Sequence, residues 1–163
     1  MTSSSPTTLA PVVCEVTVPA DAQRAFDVYV KQYSSWAIKD HHLGAELPER
    51  IELEPVVGGR WYEVQPDGTE CDWGRVLELD EPHRIVVSWH IGSSAESWAY
   101  DPDPAHASRV EIAFRPTGDG RTVVRLTHSE FEAHGAGAAI IHGGVGSTGG
   151  WNLDLAAFAA ALA

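Results

Sequence analysis

A chain of 163 residues is about one domain long and can bury roughly two-thirds of the surface its unfolded form exposes, so it needs no staple to fold. Eleven Lys plus Arg against 23 Asp plus Glu give a formal charge of -12, which repels nucleic-acid phosphates and anionic lipid but not a neutral, apolar ligand. Cys14 and Cys71 are too few for a disulfide framework and lack zinc spacing, no apolar run is long enough to span a bilayer, and the first ten residues show no secretory pattern. The expectations are a cytoplasmic protein with no nucleic-acid or membrane partner, a disordered tail over 1–10 and one domain over 11–163.

VVCEVTV, residues 12–18, alternates and is β-branched, which predicts a first strand ended by Pro19. In DAQRAFDVYVKQYSSW, Asp21 can cap a helix along which Phe26, Val30 and Tyr33, then Tyr29, Tyr33 and Trp36, recur at helical spacing. Residues 37–49 have no period and read as a turn and loop. From Arg50 to Phe131 the pattern switches to short alternating runs: RIELEPV, RWYEV, CDWGRVLEL, RIVVSWHI, SRVEIAF and TVVRLTHSEF, punctuated by PDG, DEPH, DPDP and TGDG. HGAGAAIIHGGVGSTGG admits one short helix over 136–142. The final WNLDLAAFAAALA places Trp151, Leu155, Phe158 and Leu162 on one face, with Thr148 as an available cap. Strand, helix, antiparallel strands and terminal helix in that order predict an α+β domain whose curved sheet wraps the last helix.

Specific stretches carry a likeness: VTVPADAQRAFDVYV, SSWAIKDHHLG, ELEPVVGGRWYEVQPDGTECDWGRVLELDEPHRIVVSW, VEIAFRPTGDGRTVVRLTHSEFEAHG and GGWNLDLAAF. In this order they cover nearly everything after Ala10, and the chain resembles the SRPBCC, or START-like, superfamily. Within it, the chain resembles the homologues of the activator of the heat-shock ATPase. The resemblance implies a helix-grip fold with a cavity between sheet and C-terminal helix. It leaves function open, because the superfamily holds lipid carriers, hormone receptors, cyclases and chaperone activators.

Several side chains invite a chemical reading. Alternation in TVVRLTHSEF puts Leu126, His128 and Glu130 on one side, so His128 and Glu130 are a candidate acid-base pair at the cavity, or else a hydrogen-bonded pair at a strand end. Adjacent His41 and His42 diverge if extended and cannot both bind one metal, so one of them, with His42 taken into the ligand set, is expected at the pocket mouth; no metal and no cofactor are expected. Cys71, Trp73 and Arg75 share a strand phase with Leu77 and Leu79 and are expected to face inward, with Glu130 as a candidate partner for Arg75. Six tryptophans are many for this length, and either fill a core or wall a cavity for a flat, apolar ligand. The expected ligand-binding set is Trp36, His42, Cys71, Trp73, Arg75, Trp89, Trp98, Leu126 and Trp151. GGVGSTGG lacks the lysine of a phosphate loop and reads as an entry to the last helix or a gate.

These residues support three readings: a binding domain for an apolar or aromatic small molecule, a cyclase- or dehydratase-type enzyme using His128 and Glu130, or an interaction module of the chaperone-activator kind. The first is preferred, because no strong catalytic constellation is visible. A homodimer stays open. A chaperone partner is not expected, since a lone domain lacks the additional domain of the eukaryotic activators.

Overall fold

In the computed structural model, which describes residues 9–93 and 98–163, seven of the alternating runs pair into a single antiparallel sheet. The strands are β1 (Val12–Val18), β2 (Arg50–Leu53), β3 (Arg60–Val64), β4 (Glu70–Asp80), β5 (Arg84–Trp89), β8 (Ser108–Pro116) and β9 (Thr122–Ser129), in the order β1-β9-β8-β5-β4-β3-β2. A separate two-stranded hairpin, β6 (Ile91–Ser93) with β7 (Trp98–Tyr100), follows β5. RIVVSWHI is therefore not one strand: it leaves the main sheet after Trp89 and begins the hairpin at Ile91. Of the expected tail, residues 1–8 lie outside the described residues. Leu9 and Ala10 are tied down, the Leu9 amide donating to Glu132 Oε1 at 2.9 Å and the Ala10 carbonyl accepting from His142 Nε2 at 2.9 Å.

The predicted first helix is present but interrupted. Asp21 caps α1 (Ala22–Phe26) by accepting from the Arg24 amide at 2.8 Å; one π turn over Asp27–Lys31 leads into α2 (Tyr33–Trp36). Three successive residues, Val28, Tyr29 and Val30, are buried within this wider turn. A 3-10 stretch over Phe131–Gly137 precedes α3 (Ala138–Val145), and the chain closes with α4 (Trp151–Leu162). Its buried stripe is the predicted Trp151, Leu155, Phe158 and Leu162, but Gly150, and not Thr148, stands at its N-cap.

The inner faces of β1, β8 and β9 follow strict alternation. Cys14 and Val18, then Val110, Ile112 and Phe114, then Val124, Leu126 and His128 are all buried. Phe114 meets Phe26 and Tyr29, and Tyr29 meets Phe158, with ring centroids 5.0 to 5.8 Å apart at steep angles. These edge-to-face contacts lock the first helical segment and α4 onto one end of the sheet. This is the α+β helix-grip architecture expected from the element order.

β4 breaks the alternation twice. Trp61 pairs with Gly74 and Tyr62 with Asp72, leaving Trp73 as an extra residue; farther on, Val76 pairs with Val87 and Glu78 with Val86, leaving Leu77 extra. Each bulge advances the phase by one residue. Trp73, Gly74 and Val76 are buried, while Arg75 is half-exposed and Leu77 is 44% exposed. The expected inward row of Cys71, Trp73, Arg75 and Leu77 is thereby corrected: of the four, only Trp73 enters the core.

Candidate functional site

Between the sheet and α4 lies a cavity of about 250 Å³. Trp61, Trp73 and Trp89 wall it from three neighbouring strands, Trp151 and Asp154 from the first turn of α4, and Tyr33 from α2. The remainder comes from the loop after α2, including His41, His42 and Leu43, from Ile91 and Trp98 of the small hairpin, and from segment 144–150. Trp61 is the hub of the indole cluster, with centroids 5.3 Å from Trp73, 5.7 Å from Trp89 and 6.4 Å from Trp151, to which it lies nearly parallel. Trp98 is the most exposed of the six indoles and lies over Gly144, where a Cβ would come within 2.7 Å of its ring. The Gly-rich segment thus contributes wall as well as helix entry.

The loop over residues 37–49 is held by side chains of β3 and of the residue that follows it. Glu63 is fully buried, and its carboxylate accepts from the amides of Leu43 and Gly44, from Gln65 Nε2 at 2.7 Å and from Trp73 Nε1 at 2.9 Å. Gln65 in turn accepts from the Glu46 amide at 2.9 Å. A carboxylate removed from water needs such a donor set. Here the set ties the loop to the sheet and orients the Trp73 indole in the same contact. The sequence signal was an acid in phase with Trp61 in RWYEV.

Two ionisable groups meet at the cavity wall. Asp154 Oδ1 lies 3.4 Å from His41 Nδ1, with the Asp154 side chain 15% exposed and that of His41 41%. Burial raises the Asp154 carboxyl above its ordinary value, and the neighbouring carboxylate raises His41. Asp154 falls on the apolar stripe of its helix, three residues after Trp151 and four before Phe158, and that position was its sequence signal. His42 also lines the cavity and donates from Nδ1 to the Gly44 carbonyl at 2.9 Å.

His128 and Glu130 do not form a pair. Glu130 is exposed, in a left-handed conformation (φ 63°) where β9 ends, whereas His128 is fully buried. Trp151 Nε1 donates to His128 Nδ1 at 3.0 Å, which fixes the imidazole proton on Nε2, and Nε2 then donates to Ser108 Oγ at 2.7 Å. Ser108 Oγ passes its own hydrogen to His134 Nε2 at 2.7 Å. Burial, with His134 and His142 nearby, lowers His128 to a pKa of about 3, so the ring is neutral at any ordinary pH. His128 stacks on Phe131 behind Trp151 and outside the cavity lining, where it orients the indole.

Of the expected ligand set, His42, Trp73, Trp89, Trp98 and Trp151 line the cavity. The other four do not. Trp36 is buried, with Nε1 donating to the Val28 carbonyl at 2.9 Å; Leu126 is core; Cys71 is half-buried beside Glu63 on the neighbouring strand. Arg75 lies on the outer face 3.6 Å from Asp72, so the expected contact with Glu130 is replaced by one within its own strand. Trp61, His41 and Asp154 were missing from that set. Among the described residues no group of three or more His, Cys, Asp or Glu is arranged to hold a metal ion, and no helix is long and apolar enough to cross a membrane.

Comparison with known proteins fits this architecture. The family model for activator of Hsp90 ATPase homolog 1-like protein matches residues 20–163. Among solved structures, an anthrahydroquino-γ-pyrone synthase, Txn09, complexed with SUM, is 37% identical over 96% of this chain and 99% of its own, with a TM-score of 0.64. The self-sacrificing resistance protein CalC from Micromonospora echinospora is 25% identical over 93% of each chain, with a TM-score of 0.65. The Aha1 dimer from Colwellia psychrerythraea is similar in fold at 16% identity, over 94% of this chain and 96% of its own, with a TM-score of 0.59. No curated protein matches. With the family model spanning almost the whole domain, the chain belongs to the activator of Hsp90 ATPase homolog 1-like family of SRPBCC helix-grip proteins.

Proposed function

We propose that the chain is a cytoplasmic protein that binds a small, flat, aromatic or otherwise apolar molecule in the cavity between the sheet and α4. The observation that carries this reading is the convergence of five indoles, from Trp61, Trp73, Trp89, Trp98 and Trp151, on one cavity. Side chains packed only for stability would interdigitate and leave no such space between them, because indole faces that do not touch one another forgo dispersion contacts. At about 250 Å³ the space is just below the range of drug-sized sites, which suits an occupant of about two or three fused rings. Intrinsic tryptophan fluorescence and indole N–H resonances, followed during titration with naphthalene and anthraquinone derivatives, test it. Saturable quenching with shifts of the Trp73, Trp89 and Trp151 signals is expected. A panel that moves none of them removes the reading.

A second reading, an enzyme of the cyclase or dehydratase type, is favoured by the synthase at 37% identity and by the His41–Asp154 contact inside the cavity. The acid-base residues it needs are then not His128 and Glu130. This reading separates from pure binding by turnover.

A further inference from the structure

A carboxylate in a tryptophan-walled space needs an explanation. The first turn of α4 favours a negative charge at Asp154. Yet among the described residues the only side chain that donates to this carboxylate is His41, and the gap of 3.4 Å is longer than a charge-assisted hydrogen bond. The contrast with Glu63 is direct. That buried carboxylate is saturated by two amides, an amide side chain and an indole, and has no capacity left for chemistry. Asp154 lines the cavity with lone pairs to spare, and the His41 ring that balances its charge lines it too and also bonds the Gly149 backbone.

We propose that Asp154 and His41 are the proton-transfer pair of this cavity, Asp154 serving as the base for an enolisable C–H of a small aromatic ketone and His41 as the cation that holds the resulting oxyanion. The inference rests on the cavity being a ligand site. In the step, the C–H bond beside the carbonyl breaks, its proton goes to Asp154 Oδ, and its electron pair moves through the new C=C bond to the carbonyl oxygen. The imidazolium that had faced a carboxylate now faces an enolate, so the charge pairing is kept while the base becomes neutral. Reversal returns the proton to carbon, and no other reactant is required. Burial of the Asp154 side chain, 15% exposed, strengthens the base, while His41, 41% exposed, stands at the mouth of the cavity.

The charged and titratable neighbours set the pH response. Tyr29 and Tyr33 face Asp154 from the first helical segment, Asp40 and His42 flank His41 on the loop, and among the described residues the sheet wall offers indoles and Ile51, with no titratable group of the sheet lining the cavity. The working form has Asp154 ionised and His41 protonated. Asp154 loses its competence as acid protonates it, on a limb above the ordinary carboxylate range, and His41 loses its proton on an alkaline limb above the ordinary imidazole range.

The experiment follows deuterium incorporation at the carbon next to the carbonyl of 1-tetralone in D₂O by proton NMR. Wild-type chain, Asp154→Asn and His41→Gln are compared, with binding of the same ketone measured by tryptophan quenching. The wild type is expected to exchange the ketone faster than buffer with a bell-shaped pH profile. Asp154→Asn is expected to lose about 100-fold or more, and His41→Gln about 10-fold, both with quenching retained. Quenching without accelerated exchange in the wild type, or an Asp154→Asn rate equal to wild type, overturns the proton-transfer pair and leaves the binding reading standing. Absence of quenching by 1-tetralone and by the wider aromatic panel overturns both.

Discussion

Acidification should destabilise this protein through His128 in particular. The ring is fully buried and neutral, accepts from Trp151 and is held at a pKa of about 3, against about 6.5 for an unfolded histidine. The folded value is depressed, so below pH 6.5 the unfolded chain binds the extra proton and the native chain does not. Stability is therefore fully present above about 6.5 and is lost as pH falls towards 3. At pH 5 the unfolded histidine gains about 2 kcal/mol from protonation and at pH 7 only about 0.2, so the His128 share of the loss between them is about 2 kcal/mol. That is a large fraction of the ~5–15 kcal/mol typical of a whole domain. Urea denaturation of the wild type and of His128→Asn, whose amide oxygen can still accept from Trp151, gives the number as a difference. All other titrating groups are shared, so their contributions cancel to first order. The wild type should lose about 2 kcal/mol more than the variant between pH 7 and pH 5. Equal losses would refute the neutral, desolvated assignment and the hydrogen-bond direction deduced from it.

Glu63→Ala leaves two loop amides and the Trp73 indole without their acceptor, a loss of about 3 kcal/mol or more by chemical denaturation. The same variant should speed hydrogen exchange at Leu43 and Gly44 far more than in the β8–β9 ladder, and uniform acceleration would count against a local tether. At Gly74 a Cβ would sit 1.8 Å from the Ser88 carbonyl oxygen, so Gly74→Ala must push two strands apart at about 3 kcal/mol, read as a lowered Tm. A fully stable Gly74→Ala protein would show that β4 and β5 do not approach as closely as described.

What was legible in the sequence, and what was not, divides along a physical line. Alternation succeeds where the ladder is regular: β1, β8 and β9 pair residue for residue, so the inward row through Val124, Leu126 and His128 could be counted off. The stripe of α4 was equally countable. Counting fails in β4, because a bulge is a property of two strands meeting and leaves no period in either one. Gly74 held the only local clue, a residue small enough for the Ser88 carbonyl to approach. Arg75 and Cys71 entered the expected site through an unbroken phase that does not exist, and Trp61 was left out for the same reason.

The site itself depends on long-range pairings that no local pattern encodes. His41 and Asp154 are 113 positions apart in a chain whose loop at 37–49 has no period, and they meet through that loop, which Glu63 of β3 and Gln65 just after it fasten to the sheet. His128 carries the converse lesson. An imidazole two residues from a carboxylate on one strand looks like an acid-base pair, but the strand ends between them. The backbone turns left-handed at Glu130, which sends its carboxylate to solvent and leaves His128 with an indole and a hydroxyl. Both polar residues that matter could still be found by one rule, namely to ask why an acid sits on an apolar stripe. Glu63 answers with four donors and is therefore structural. Asp154 answers, among the described residues, with His41 alone, at the wall of the cavity, and a carboxylate so sparsely satisfied retains the basicity that proton transfer requires.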